Sequence, residues 1–136
     1  MRIVTIIALT FSFTIVVMAS ASENELKGKW KIESVKNVDS LDVSKTELVF
    51  LEDGAVAMTV GCNRMRGNPK IEGSAIEFGP VAGTLMACPP PLNSVERHFH
   101  AALDATRRYT VEASGDVLIF ANQDGEALVK LIRVNS

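Results

Sequence analysis

Cys62, Cys88, His98 and His100 are the only cysteines and the only histidines in the 136 residues, and on paper they supply four soft or borderline metal ligands. Spacing argues against that use. The two histidines stand at i and i+2 of an expected helix and point apart, whereas helical ligand pairs use i and i+3 or i+4. No Cys-x-x-Cys occurs, and no adjacent residue obviously lowers a thiol pKa. Ser74, Ser94 and Ser114 fall in turn or capping positions and Gly-x-Ser-x-Gly is absent, so His98 with Asp104 reads as helix surface and not as part of a triad. Glu52-Asp53 and the Glu23, Glu25 pair lie in segments expected to be exposed, where nothing desolvates a carboxylate. No catalytic residue, metal site or cofactor is expected, and the chain reads as non-enzymatic.

The cysteines then have three readings: a disulfide, two buried reduced thiols packed as small hydrophobes, or a reactive thiol. The N-terminus favours the first. Arg2, the apolar run Ile3 to Met18 and the small residues Ala19-Ser20-Ala21 form a secretory signal peptide over residues 1–21, leaving a single domain over residues 22–136. The apolar run carries Thr5, Thr10, Ser12 and Thr14 and is shorter than the ~20 residues a bilayer core demands, so no stable membrane span is expected after cleavage. An even number of thiols sent to an oxidising compartment is most simply paired. A Cys62–Cys88 bridge closes a loop of 26 residues, for roughly 3 kcal/mol on the loop-entropy view.

Fourteen basic residues against sixteen acidic ones, a net charge of −2, do not invite nucleic acid or an anionic membrane. Arg64, Arg66 and Lys70 form one local basic cluster and Arg107-Arg108 another, both read as solvated turns, with Arg64 and Arg66 a candidate partner surface.

Alternation with a period of two marks the elements that must position these groups. Gly28 to Val35 places Trp30, Ile32 and Ser34 on one face. Lys45 to Leu51 and Ala55 to Val60 flank the turn Glu52-Asp53-Gly54, with Val56, Met58 and Val60 sharing a face. A loop from Gly61 through Asn68-Pro69 leads to weaker strands at Lys70 to Glu72 and Ala75 to Phe78. After Pro89-Pro90-Pro91 the period changes: Asn93 caps a helix over about 92–105 with Glu96 as its reciprocal partner, and Val95, Phe99, Ala102 and Leu103 form its apolar face. Arg107 to Ala113, Asp116 to Asn122 and Glu126 to Val134 return to strand. The expected fold is α+β and predominantly antiparallel: an incomplete barrel of about eight strands, with one packed helix before the last three. Trp30, Phe50, Val60, Ile76, Phe78, Phe99, Tyr109, Ile119 and Leu131 are the expected core. Gly61 and Gly67 bracket a tight excursion suited to glycine, and Asn63 is expected to close an Asx-type turn on its own backbone.

Two rare blocks, Gly61-Cys62-Asn63 with Gly67 and Thr84-Leu85-Met86-Ala87-Cys88-Pro89, stand in order with Trp30-Lys31-Ile32-Glu33-Ser34, Glu96, Phe99, Leu103, Tyr109-x-Val111 and Leu118. In this the chain resembles the META domain family, which includes the HslJ-like heat-shock proteins. The resemblance implies a partly open barrel with a packed helix, exported or membrane-associated contexts, stress response and, in some lineages, secretion; it brings no shared catalytic set. Met65 and Pro69 stand where aromatic residues are usual, and Leu85 where a basic residue is common.

The expected role is an exported, periplasmic or extracellular, stress-related protein. It would bind an apolar small molecule or an envelope protein, with Met58, Met65, Met86 and Phe78 as possible wall residues. The alternative is a structural or secretion-associated module that docks a partner through a barrel edge.

Overall fold

A computed structural model describes residues 14–15 and 23–135, so the expected signal peptide lies outside the described residues but for Thr14 and Ile15. Ten strands and one helix follow in chain order: β1 (Gly28–Val35), β2 (Glu47–Phe50), β3 (Val56–Thr59), β4 (Arg64–Gly67), β5 (Lys70–Glu72), β6 (Ala75–Glu77), β7 (Ala82–Gly83), α1 (Pro90–Ala105), β8 (Arg108–Val111), β9 (Val117–Ala121) and β10 (Ala127–Arg133). They form one antiparallel sheet in the order β5-β6-β8-β9-β10-β1-β2-β3-β4-β7. The expected α+β class, the open barrel and the helix before the last three strands are all present.

Why the sheet curls can be read from one short connection. β4 and β5 are eight places apart in the sheet, which if flat would separate them by about 38 Å at the usual strand spacing. Only Asn68 and Pro69 join them, a chain that reaches about 11 Å at most. The two ends must therefore approach each other, and the sheet rolls into a half-barrel. Its interior is filled by side chains: Trp30, Phe78, Phe99, Phe120 and Tyr109 are all buried, with Phe78 and Phe120 edge to face at 5.1 Å.

Four expectations are corrected. Two strands more than the expected eight exist, because β4 and β7 occupy segments rich in glycine and charge that alternation does not reveal. In β1, a register shift between Ile32 and Ser34 turns the later residues over, so Ser34 is exposed and Val35 enters the core. Ile119 is only half-buried while Leu118 and Phe120 point inward; in the five consecutive apolar residues Val117 to Ala121, alternation does not choose a face. Finally, α1 starts at Pro90 and not at Leu92, since prolines in the first turn lack only N–H groups that have no helical partner there.

The early end of the β1–β2 ladder has a polar consequence. β2 pairs β1 only through Gly28–Trp30, and beyond that point the Ile32 N–H donates to the hydroxyl of buried Thr46 at 2.8 Å. That hydroxyl donates in turn to the Val43 carbonyl at 2.8 Å. Thr46→Val keeps the shape but strands a buried N–H, and is expected to lower unfolding stability by about 1–2 kcal/mol. Urea denaturation checks this; an unchanged midpoint would show that the hydroxyl is dispensable.

Candidate functional site

The site grows from Gly61, two residues past the end of β3, with a φ of +126°. A side chain there would be strained, and its Cβ would sit 3.2 Å from Leu92 on α1. The chain can therefore pass close under the helix and present Cys62 and Asn63 to it. Gly67 is needed for space and not for φ: a Cβ there would lie 3.3 Å from Val81.

Cys62 and Cys88 are joined by a disulfide, with an S–S distance of 2.07 Å and Cα atoms 6.1 Å apart. The bridge ties the β3–β4 loop to the segment that enters α1. Beside it, Asn63 does not make the expected local turn: its side chain bonds no backbone of its own neighbourhood but reaches two other segments, the β7–α1 connection and α1. The Asn63 backbone N–H donates to Glu96 Oε1 at 2.6 Å, and Nδ2 donates to Glu96 Oε2 at 2.8 Å. Asn63 Oδ1 accepts from the Thr84 hydroxyl at 2.9 Å and from the Met86 N–H at 2.8 Å. Asn63 Nδ2 also approaches Cys88 Sγ at 3.4 Å, and Glu96 Oε2 lies 3.6 Å from the same sulfur. One amide thus holds a buried carboxylate, a hydroxyl, a peptide and the disulfide in a fixed arrangement.

Glu96 is accordingly not the partner of an Asn93 cap. The residue before the helix is Pro89, without a side-chain cap, and Asn93 lies within the first turns, exposed. Glu96 instead faces inward beside Val95 and Phe99 and is 8% exposed, a burial that its two charge-assisted bonds from Asn63 compensate. A Glu three residues after Asn is the pattern of a capping box, and that local signal hid a long-range one.

Around this centre the other expected residues separate. Thr84 also accepts from the Arg64 N–H at 3.1 Å, which aligns β7 on β4. Arg64 and Arg66 lie on the outer face of β4, not in a loop, and Arg66 pairs with Asp53 at 2.8 Å. The Ala55 N–H and, after it, Arg66 hold the Asp53 carboxyl below its ordinary value; so exposed a pair adds little to stability. His98 and His100 line different grooves on either side of α1. Met58, Met65 and Phe78 are buried in the core, whereas Met86 is 54% exposed and Leu85 is 99% exposed. Ala87 and Pro89 are exposed in the same segment.

Between α1 and the β4–β7 end of the sheet runs a groove of about 560 Å³. Met65, Val81 and Leu85 give it an apolar wall, Arg97 and His100 a polar rim, and Asn63 with Glu96 its base. Among the described residues β7 is the terminal strand of the sheet, and the backbone groups on its outer side have no strand partner there. Among the described residues no helix is long and apolar enough to cross a membrane.

These features define a class: a small antiparallel half-barrel, closed by one helix and stapled by a disulfide where helix and sheet meet. The META domain model matches residues 23–134, and the chain belongs to the META domain family. Among solved structures, the NMR structure of a protein from Burkholderia xenovorans is similar at a TM-score of 0.66 and 20% identity, over 83% of this chain and 86% of the other. The crystal structure of a DUF4847 family protein from Bacteroides vulgatus is similar at 0.59 and 13% identity, over 84% and 97%. At such identities the likeness is one of fold. No curated protein matches the sequence.

Proposed function

We propose that this META-domain protein is an exported, non-enzymatic, HslJ-like and stress-related component of the cell envelope that captures an extended segment of a partner protein along β7. The observation that carries the reading is the exposed apolar pair Leu85 and Met86, set directly after a sheet edge that no strand pairs among the described residues, and beside the α1 groove. An added strand would take its backbone hydrogen bonds from β7, and one of its apolar side chains would enter the groove. The filled core supports binding on the outside of the barrel. The N-terminal apolar run supports export, with the periplasm as the destination and the extracellular medium as the alternative.

A second reading is an apolar small molecule in the same groove, favoured by a volume within the range of small-ligand sites. A photo-cross-linking residue at position 85, used in cells of the source organism under stress, separates the two. A discrete protein adduct that Met86→Asp reduces about tenfold or more supports strand capture. Native mass spectrometry showing a co-purified lipid, with no protein adduct, supports the second reading. Neither adduct nor ligand would sink both.

A further inference from the structure

The disulfide and Glu96 together contain more chemistry than a staple needs. Cys62 Sγ, Cys88 Sγ and a Glu96 carboxylate oxygen all lie within 4.8 Å of one another. In a tetrahedral zinc site, Zn–S of about 2.3 Å and Zn–O of about 2.0 Å place sulfur and oxygen about 3.5 Å apart. Cys88 Sγ and Glu96 Oε2 already stand at 3.6 Å. Asn63 supplies the outer layer such sites require, donating from Nδ2 to Glu96 Oε2 at 2.8 Å and approaching Cys88 Sγ at 3.4 Å.

We propose that reduction of the Cys62–Cys88 bridge converts this cluster into a binding site for a zinc-class divalent cation, with both sulfurs and the Glu96 carboxylate as ligands. In the reductive step a dithiol donor gives two electrons and two protons. The S–S bond breaks, two thiols form on the protein, and the donor closes to its own disulfide. The cation then displaces the two thiol protons to solvent and binds two thiolates and one carboxylate. The sulfurs, bonded to each other in the bridge, must part to about 3.8 Å to share one tetrahedral ion. Both cysteines lie outside the strands and the helix, so side-chain rotation and small loop shifts suffice. In the reduced protein the sulfurs stand as neutral thiols, and a bound cation offsets the charge of the two thiolates and the carboxylate once the protons leave. Two sulfur ligands select zinc over magnesium or calcium, and water would complete the tetrahedron as the fourth ligand.

The test uses the full-length mature protein, oxidised or reduced by a phosphine. The phosphine takes up an oxygen atom from water, and the water's two protons go to the thiols, so no competing chelator is left. Cobalt(II) is titrated as a spectroscopic probe and then displaced by zinc, while near-ultraviolet circular dichroism follows the fold. The expected result is one equivalent of cobalt with thiolate-to-metal charge-transfer absorption in the reduced protein and none in the oxidised protein. Asn63→Ala should weaken zinc binding by about 10–100-fold, and Glu96→Gln by at least as much. The proposal is overturned by a reduced, folded protein without this absorption, by equal binding in the oxidised protein, or by unchanged affinity in Glu96→Gln. A reduced chain that loses its near-ultraviolet signal and does not regain it with zinc also overturns it, without needing any variant.

Discussion

Replacing Asn63 by aspartate is expected to lower the free energy of unfolding at neutral pH by about 3 kcal/mol or more, the largest effect of any near-isosteric change in the site. The substitution removes the donor that reaches Glu96 Oε2 at 2.8 Å and sets a second carboxylate against the first. Glu96 is 8% exposed, so water does little to screen the two. Asn63→Ala removes the same donor without adding charge and is expected to cost less. The pH dependence separates repulsion from simple loss of a bond. The paired carboxyls of the folded variant hold a proton more tightly than in the unfolded chain, so the folded state binds more protons. Stability of Asn63→Asp relative to wild type therefore rises as pH falls through the carboxylate range and is lowest above it. Urea denaturation at several pH values reads both effects. A loss below about 1 kcal/mol, or a deficit that does not change with pH, would remove Asn63 from the centre of the site.

The second large effect belongs to the bridge. Changing Cys62 and Cys88 together to serine is expected to lower stability by about 3 kcal/mol, from loss of a cross-link over a sequence separation of 26. Such a loss is a large fraction of a small domain's margin. Its structural consequence is local: the segment carrying Leu85 and Met86 remains tied to Asn63 Oδ1 by two hydrogen bonds but is freed from the β3–β4 loop at Cys88. Because Asn63 and the bridge hold the same segment, adding Asn63→Ala to the double serine variant should depart from additivity by about 0.5–3 kcal/mol. Additive losses would mean that the bridge and the amide act separately.

Much of the framework was legible before any coordinates. Trp30, Phe50, Val60, Ile76, Phe78, Tyr109 and Leu131 all reach the core, and Val95, Phe99, Ala102 and Leu103 form the buried face of α1. Period-two and period-3.6 patterns record which side of an element meets apolar neighbours, and in long elements they record it redundantly. Short elements lack that redundancy. β7 has only two residues, Ala82 and Gly83, both exposed, and exists because Met65 and Arg66 lie opposite them. The bulge in β1 was equally silent, since Ser34 suits the core-facing place in the pattern and only pairing with β10 excludes it.

The candidate site divides along the same line. By itself the sequence determined the alternation of the strands, the apolar stripe of the helix, the rare cysteine blocks and the family they resemble, because each is written in local spacing or residue type. Only the tertiary structure decided that Asn63 and Glu96, 33 residues apart, meet beside the disulfide, and that Leu85 and Met86 stand exposed at the edge of the sheet. The physical reason is the curl of the sheet. The open barrel was expected, but two residues between β4 and β5 force its ends together and bring the β3–β4 loop beneath α1, and no local pattern in the chain says which loop meets the helix.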